Sequence, residues 1–330
     1  MRACVLTAFG AVENLEIKDV AEPMVGPGQV LVDVHAAGVT HAELLVIKGK
    51  YQTLPTLPFI PGKELAGVVA AVGDGVASIR PGDRVMGVAR QGAYAQRTLV
   101  SHESCFKLPA AMSFVQAAAL GTAYQTAYFA LMDHGRFRAG ETVLINGASG
   151  GVGLAAVQFA KAKGAIVLAG LTTPAKAGAV LAHGADHVID LSQPDIGESL
   201  RRQVHAVTGG RGVDIVIDML GGDVFDASLR VLAWRGRGVV IGFVAGRIPA
   251  VKTNYLLIKN ITVSGMFLNT YRANAPQEVT QAQQELFGLF GAGKLNPVVM
   301  ECLPLDQVGR AFALIADRKG AGRVILDPNQ

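Results

Sequence analysis

Cysteine is scarce in this chain: Cys4, Cys105 and Cys302 are far apart and odd in number. They form no C-x-x-C pair, so neither a disulfide framework nor a zinc knuckle is expected, and a reducing compartment is the default. Charge is thin as well, at 17% of residues, and the net +4 is spread without Lys/Arg runs. That gives no case for nucleic acid and only a mild bias towards anionic small ligands. No apolar run approaches a membrane span. Glu13 and Asp19 interrupt any charged-then-apolar leader, so the expectation is a cytoplasmic protein. Repeats and low-complexity tracts are lacking too.

What is present is apolar and rich in glycine. Half of the 330 residues are hydrophobic and 40 are glycine without a period. This length suits about two domains, each burying its own core. The strongest local signal lies near the middle of the chain. Val143, Leu144 and Ile145 run into Asn146-Gly-Ala148-Ser149-Gly150-Gly151-Val152-Gly153, and a helical pattern follows up to Gly164. The spacing Ala148-x-Gly150-x-x-Gly153 is the dinucleotide fingerprint with alanine first. Small residues there allow a tight turn, close approach to pyrophosphate and close helix–strand packing, while the helix N-terminus offers free N–H groups to the phosphates. Residues 148–153 are therefore the expected phosphate cradle of a nicotinamide dinucleotide. The same stretch fits G-x-S-x-G, a serine nucleophile elbow at Ser149, but that chemistry needs a late histidine and the last one is His205. A glycine turn that merely packs a helix on a sheet would not need three small residues at this spacing.

Around this signal the chain changes character twice. Residues 1 to about 110 read as short strands (3–7, 15–18, 30–34, 67–72) cut by Gly and Pro, a mostly antiparallel β domain. Helical stretches follow at 113–120, with Ser113 as N-cap, and at 121–131. Strands expected at 142–146, 165–170, 187–189, 214–219, 237–243 and 261–266 then alternate with helices near 151–163, 174–183, 195–207 and 222–234. That alternation predicts an α/β, doubly wound parallel sheet covered on both faces. A helix near 276–291 precedes short strands around 297–300 and 322–326, which share the character of the first domain and are expected to return to it.

The second strand of the doubly wound region ends Leu171-Thr172-Thr173-Pro174-Ala175-Lys176. A site for NAD places an acid there to hold the ribose 2′-hydroxyl. Two hydroxyls and an ammonium instead suit a 2′-phosphate, which predicts NADPH over NADH, held by Thr172, Thr173 and Lys176.

Nearly the whole chain resembles the medium-chain dehydrogenase/reductase superfamily and, within it, the zinc-independent NADPH:quinone oxidoreductases. The resemblance is carried by Ala36-Ala-Gly-Val39, Leu57-Pro-Phe-Ile-Pro-Gly62, Glu64-Leu-Ala-Gly-Val-Val69 and Pro81-Gly-Asp-Arg-Val85. The fingerprint, Gly184-Ala-Asp-His-Val-Ile189, Thr208-Gly-Gly-Arg-Gly-Val-Asp214 and Gly242-Phe-Val-Ala-Gly-Arg-Ile-Pro249 complete it. It implies a GroES-like catalytic domain (1–121 and 268–330), a Rossmann NADPH-binding domain (122–267), and a homodimer through the sheet edge at 261–267. Zinc-dependent relatives carry Cys, His and Cys where this chain has Thr40, Lys63 and Thr122, so no metal is expected.

The resemblance also implies the chemistry: metal-free hydride transfer from NADPH to a quinone or related conjugated carbonyl. The alternatives are reduction of an enone or enoyl-thioester double bond or, in a different class, an NADPH-binding sensor or structural protein. An oxyanion must be stabilised, and the candidate catalytic residues are Tyr51, Thr40 and Lys63. Lys63 either polarises the substrate carbonyl or pairs with Glu64 or Glu43. His41 either touches pyrophosphate or is structural. Thr126, Gly242, Phe243, Val244, Asn254, Phe267 and Leu268 are expected around the nicotinamide. Arg323 either reaches the adenosine phosphate or is a surface residue.

Overall fold

Short apolar runs at strand spacing, interrupted by glycine and proline, build the first part of the chain. The structure is a computed structural model describing residues 1–317 and 320–330. Two strands, β1 (Arg2–Leu6) and β2 (Leu15–Asp19), pair antiparallel. Then come β3 (Gln29–Val39), α1 (His41–Ile47), β4 (Glu64–Val72), β5 (Arg84–Val88), β6 (Arg97–Ser101) and β7 (Cys105–Lys107). β3 is the hub, antiparallel to both β4 and β6. Its Val30, Val32 and Val34 recur at strand period and are fully buried, each contributing about 1.5–3 kcal/mol. The expected helices at 113–120 and 121–131 form one element, α2 (Phe114–Phe129), broken at Gly121, whose φ of −10° and ψ of −116° are not helical. Ser113 caps it as expected. Its hydroxyl accepts from Gln116 N–H at 3.2 Å while the Gln116 side chain accepts from Ser113 N–H at 3.0 Å, a reciprocal capping box.

The central part alternates as the sequence predicts. In order it runs β8 (Thr142–Asn146), α3 (Gly151–Ala162), β9 (Ile166–Leu171), α4 (Ala177–Ala182), β10 (His187–Asp190), α5 (Ile196–Thr208) and β11 (Val213–Asp218). It continues with α6 (Gly222–Val231), β12 (Leu232–Val240), α7 (Thr253–Lys259), β13 (Thr262–Gly265), α8 (Leu268–Asn274) and α9 (Pro276–Gly291). The six strands lie in the order β10-β9-β8-β11-β12-β13 and every pairing is parallel. β8 is buried along its whole length, as a strand covered on both faces must be. Chain direction across the sheet reverses between β8 and β11, the switch point at which such sheets bind ligands. One helix ends sooner than its pattern suggests. α6 stops at Val231 because the chain enters β12 through an irregularity, with Arg235 at φ 63° and the register shifting between the Val213 and Ile215 pairs.

The chain then returns through β14 (Val299–Pro304), α10 (Val308–Asp317) and β15 (Arg323–Asp327). β15 pairs antiparallel with β3, and β14 lies parallel on β15, completing the order β14-β15-β3-β4-β5-β7. Contacts divide the molecule into Met1–Thr122 with Pro297–Gln330, and Ala123–Asn296. The return thus falls at 297 rather than at 268. Polar pairings hold α8 and α9 within the second unit: Arg272 to Gln125 at 2.8 Å, Gln125 to Gln283 at 2.9 Å, Lys163 to Glu285 at 2.8 Å, and Gln158 to the Asn296 carbonyl at 2.9 Å. Among the described residues no helix is long and apolar enough to cross a membrane.

Candidate functional site

The carboxyl end of the parallel sheet gathers the fingerprint. Gly147, at φ 76°, turns the chain out of β8, and the N–H groups of Gly147 and Ala148 both donate to the Gly170 carbonyl, at 3.0 and 3.1 Å. Gly153 packs the start of α3 onto that turn: a Cβ there would lie 2.2 Å from the Gly147 oxygen. Gly150 is the N-cap of α3, extended at φ −74° and ψ 173°, and no side chain caps the helix. Its first-turn N–H groups are therefore left for an anion. A Cβ on Gly150 would meet nothing closer than 3.5 Å, so space for the chain itself does not require glycine there. Close approach of a ligand does. This cradle fits a pyrophosphate.

Thr172 and Thr173 are exposed just beyond β9, and Lys176 closes a turn of 3-10 helix, Pro174–Lys176, before α4. Gly242, Phe243 and Val244 follow the end of β12, with Phe243 exposed, and Asn254 is exposed at the start of α7. Phe267, just after β13, is half exposed, whereas Leu268 turns inward and is buried. Thr126 is buried in α2 beyond the kink. Ser149 is partly exposed at the turn.

In the first unit, Thr40 is the N-cap of α1 and its hydroxyl oxygen accepts from Glu43 N–H at 3.0 Å, which leaves the hydroxyl proton to donate elsewhere. His41 begins the same helix and is not without a partner. Among the described residues, Lys63 has no carboxylate within ion-pair distance. Its ammonium lies 5.6 Å from the centre of the Tyr51 ring, a cation–π contact. Beneath it Glu43 is buried, accepting from Gly62 N–H at 3.3 Å. Burial pushes the Glu43 carboxyl up, and the Lys63 charge opposes this. Tyr51 is pushed up by burial and by Glu43. Glu64 is committed elsewhere: Oε2 pairs with Arg323 and Oε1 accepts from Thr122 N–H at 3.0 Å.

Arg323 lies where neither expectation placed it. It is neither a surface arginine nor free to reach a phosphate, since only 7% of it is exposed and it is paired with Glu64. A buried carboxylate requires a charged partner, and β15, adjacent to β3, supplies it. Two further polar residues, Asn146 and Asp218, are fully buried at the ends of β8 and β11, without a role read from the sequence. The available signal was a polar residue closing an otherwise apolar buried strand.

A GroES-like β unit, discontinuous in sequence, and a doubly wound unit with an A-x-G-x-x-G turn define a two-domain oxidoreductase of the dehydrogenase/reductase kind. Residues 26–110 match the family described as alcohol dehydrogenase GroES-like domain, and residues 151–287 match that described as zinc-binding dehydrogenase. The chain is 37% identical to mouse quinone oxidoreductase-like protein 2 over 318 residues, 95% of this chain and 89% of that protein. It is 36% identical to human quinone oxidoreductase over 329 residues, 99% of this chain and 97% of that one. The crystal structure of Escherichia coli quinone oxidoreductase complexed with NADPH is 32% identical, with a TM-score of 0.92 over 99% of this chain and 100% of that one. The chain belongs to the quinone oxidoreductase family of the medium-chain dehydrogenase/reductase superfamily.

Proposed function

We propose that the chain is an NADPH-dependent reductase of a quinone or related conjugated carbonyl, working without a metal. The observation that carries this is the pairing of an uncapped, glycine-lined helix start with a β9 terminus bearing Thr172, Thr173 and Lys176 and no acid. A carboxylate at that place would repel a 2′-phosphate, whereas hydroxyls and an ammonium bind one. The NADPH complex of the E. coli quinone oxidoreductase, alike over its whole length, supports the same reading.

NADPH, when bound, supplies the hydride. The chain's own residues orient the cofactor and stabilise what forms on the acceptor. Gly150, Gly151, Val152 and Gly153 hold the pyrophosphate at the helix start, with Ala148 and Ser149 in the turn. Thr126, Gly242, Phe243, Val244, Asn254, Phe267 and Leu268 border the nicotinamide. Tyr51 and Lys63 act on the carbonyl oxygen: the ammonium attracts the developing negative charge, and the phenol or the Thr40 hydroxyl donates a hydrogen bond. The absence of an ion pair at Lys63 among the described residues favours this role over simple charge pairing.

The donor set does not fit zinc. A hydroxyl, an ammonium and a hydroxyl stand at positions 40, 63 and 122, in place of thiolate, imidazole and thiolate. Free cysteines, two of them buried, suit a reducing cytoplasm. A homodimer is assigned to the β13 edge, beside which Leu257 and Ile258 are 79% and 73% exposed.

The test is NADPH oxidation against a panel of a quinone, an enone and an enoyl thioester. Preference for the quinone supports the reading. Turnover with the alkenes alone moves the chain to double-bond reduction, and tight NADPH binding with no turnover makes it a sensor.

A further inference from the structure

Asp218 is a fully buried carboxylate and, among the described residues, has no charged partner. Such a group is costly to bury, and its bonds show what it holds. Oδ1 accepts from Asn146 Nδ2 at 2.7 Å, and Oδ2 accepts from Gly221 N–H at 2.7 Å. Asn146 ends β8, immediately before the fingerprint turn, and its Nδ2 also donates to Ser228 Oγ at 2.9 Å. Gly221, at φ 70°, closes the turn after β11. That turn carries the segment after β12 by backbone bonds: Ile241 N–H to the Asp218 carbonyl at 2.7 Å, Val244 to Met219 at 3.0 Å, Ala245 to Leu220 at 2.9 Å, and Gly222 to the Arg247 carbonyl at 3.0 Å.

We propose that Asp218 is a positioning residue: its carboxylate locks the turn that carries Gly242, Phe243 and Val244 to the end of the phosphate-binding strand. This rests on the reading that NADPH binds along that edge of the sheet. The carboxylate touches no cofactor atom itself and acts through the Gly221 N–H. Burial raises the Asp218 carboxyl to about 6, while the Asn146 amide and the Gly221 and Leu220 N–H groups favour its charged form. The groups bearing on it from β8, from the turn and, through Asn146, from α6 at Ser228 are all uncharged. Protonation removes an acceptor from the latch, so NADPH affinity falls as pH drops through this range.

The test compares Asp218→Ala, Asp218→Asn and Ser228→Ala in the full-length protein, by NADPH titration and by amide hydrogen exchange without cofactor. Asp218→Ala is expected to speed exchange across residues 241–247 and to raise the NADPH Kd about tenfold, the loss typical of a hydrogen bond to a charged group. Asp218→Asn is neutral at every pH and, as the protonated acid does, keeps one acceptor for Gly221 while setting a donor against the Asn146 amide. Its Kd therefore lies above that of wild type at pH 7.5. The 2′-phosphate titrates near pH 6 in both proteins, so the readout is their ratio. Between pH 7.5 and 5.5 wild type loses affinity faster than Asp218→Asn. Ser228→Ala keeps its Kd. If Asp218→Ala does not fold, the wild-type to Asp218→Asn ratio decides. Unchanged exchange and Kd in Asp218→Ala, or a ratio flat with pH, overturns the proposal. Wild type that binds no NADPH overturns the cofactor reading instead, and the exchange result still judges the latch.

Discussion

Two glycines of the fingerprint, three residues apart, should fail in different ways. In Gly153→Ala the new methyl would lie 2.2 Å from the Gly147 oxygen and 2.7 Å from Ala148 backbone atoms, inside the 3.0 Å that real Cβ contacts keep. Backbone cannot swing aside as a long side chain does, so α3 must lift from its turn. Overpacking of this kind costs about 1–3 kcal/mol, and a domain of this size loses about 2–4 °C in Tm for each kcal/mol. Gly150→Ala meets no atom within 3.5 Å and its φ of −74° is open to alanine, so Tm should not move. Its methyl instead occupies the space a pyrophosphate must enter, and NADPH affinity should fall at least about tenfold, as a lost charge-assisted contact implies. Differential scanning fluorimetry with and without NADPH reads both effects. If Gly150→Ala bound NADPH like wild type, the phosphate would not approach α3 there. A Gly153→Ala protein as stable as wild type would refute the packing reasoning.

Removing one partner of the buried Glu64–Arg323 pair should be costly. Arg323→Met leaves Glu64 charged with, among the described residues, the Thr122 N–H alone, for a loss of about 3–5 kcal/mol in urea unfolding, while adding Glu64→Leu recovers most of it. An Arg323→Met loss under about 1 kcal/mol would mean that the pair is solvated. Lys63→Met should lower kcat about 100–1,000-fold with NADPH Kd unchanged, the range for losing one electrostatic stabiliser; unaltered turnover with every acceptor would end its catalytic role. Thr172→Asp with Lys176→Glu should reverse the cofactor preference towards NADH, checked by kcat/KM for each. A variant that still prefers NADPH would place the 2′-phosphate elsewhere.

The fold was legible wherever the signal was local. Strand-then-helix alternation and Gly/Pro punctuation placed all six parallel strands, and Ser113 announced the start of α2. The glycine turn into α3 was legible for the same reason, because its geometry is written within a few neighbouring residues. What stayed hidden depends on pairings across the chain. Arg323 and Glu64 are 259 positions apart, and no pattern around Arg323 announces a buried partner. The place where the chain leaves the second unit rests on single contacts of Gln283, Glu285 and the Asn296 carbonyl, which read in sequence as ordinary polar residues. Asp218 was masked by the apolar run Ile215-Val-Ile217 that precedes it.

The central claim is metal-free, NADPH-specific hydride transfer to a quinone. Its most direct test is oxidation of NADPH by a simple quinone in the presence of a strong chelator, with NADH run in parallel. The account predicts turnover that the chelator leaves unchanged and a kcat/KM for NADH at least about tenfold lower, as loss of the 2′-phosphate contacts implies. Turnover abolished by the chelator, or equal use of NADH, would contradict it.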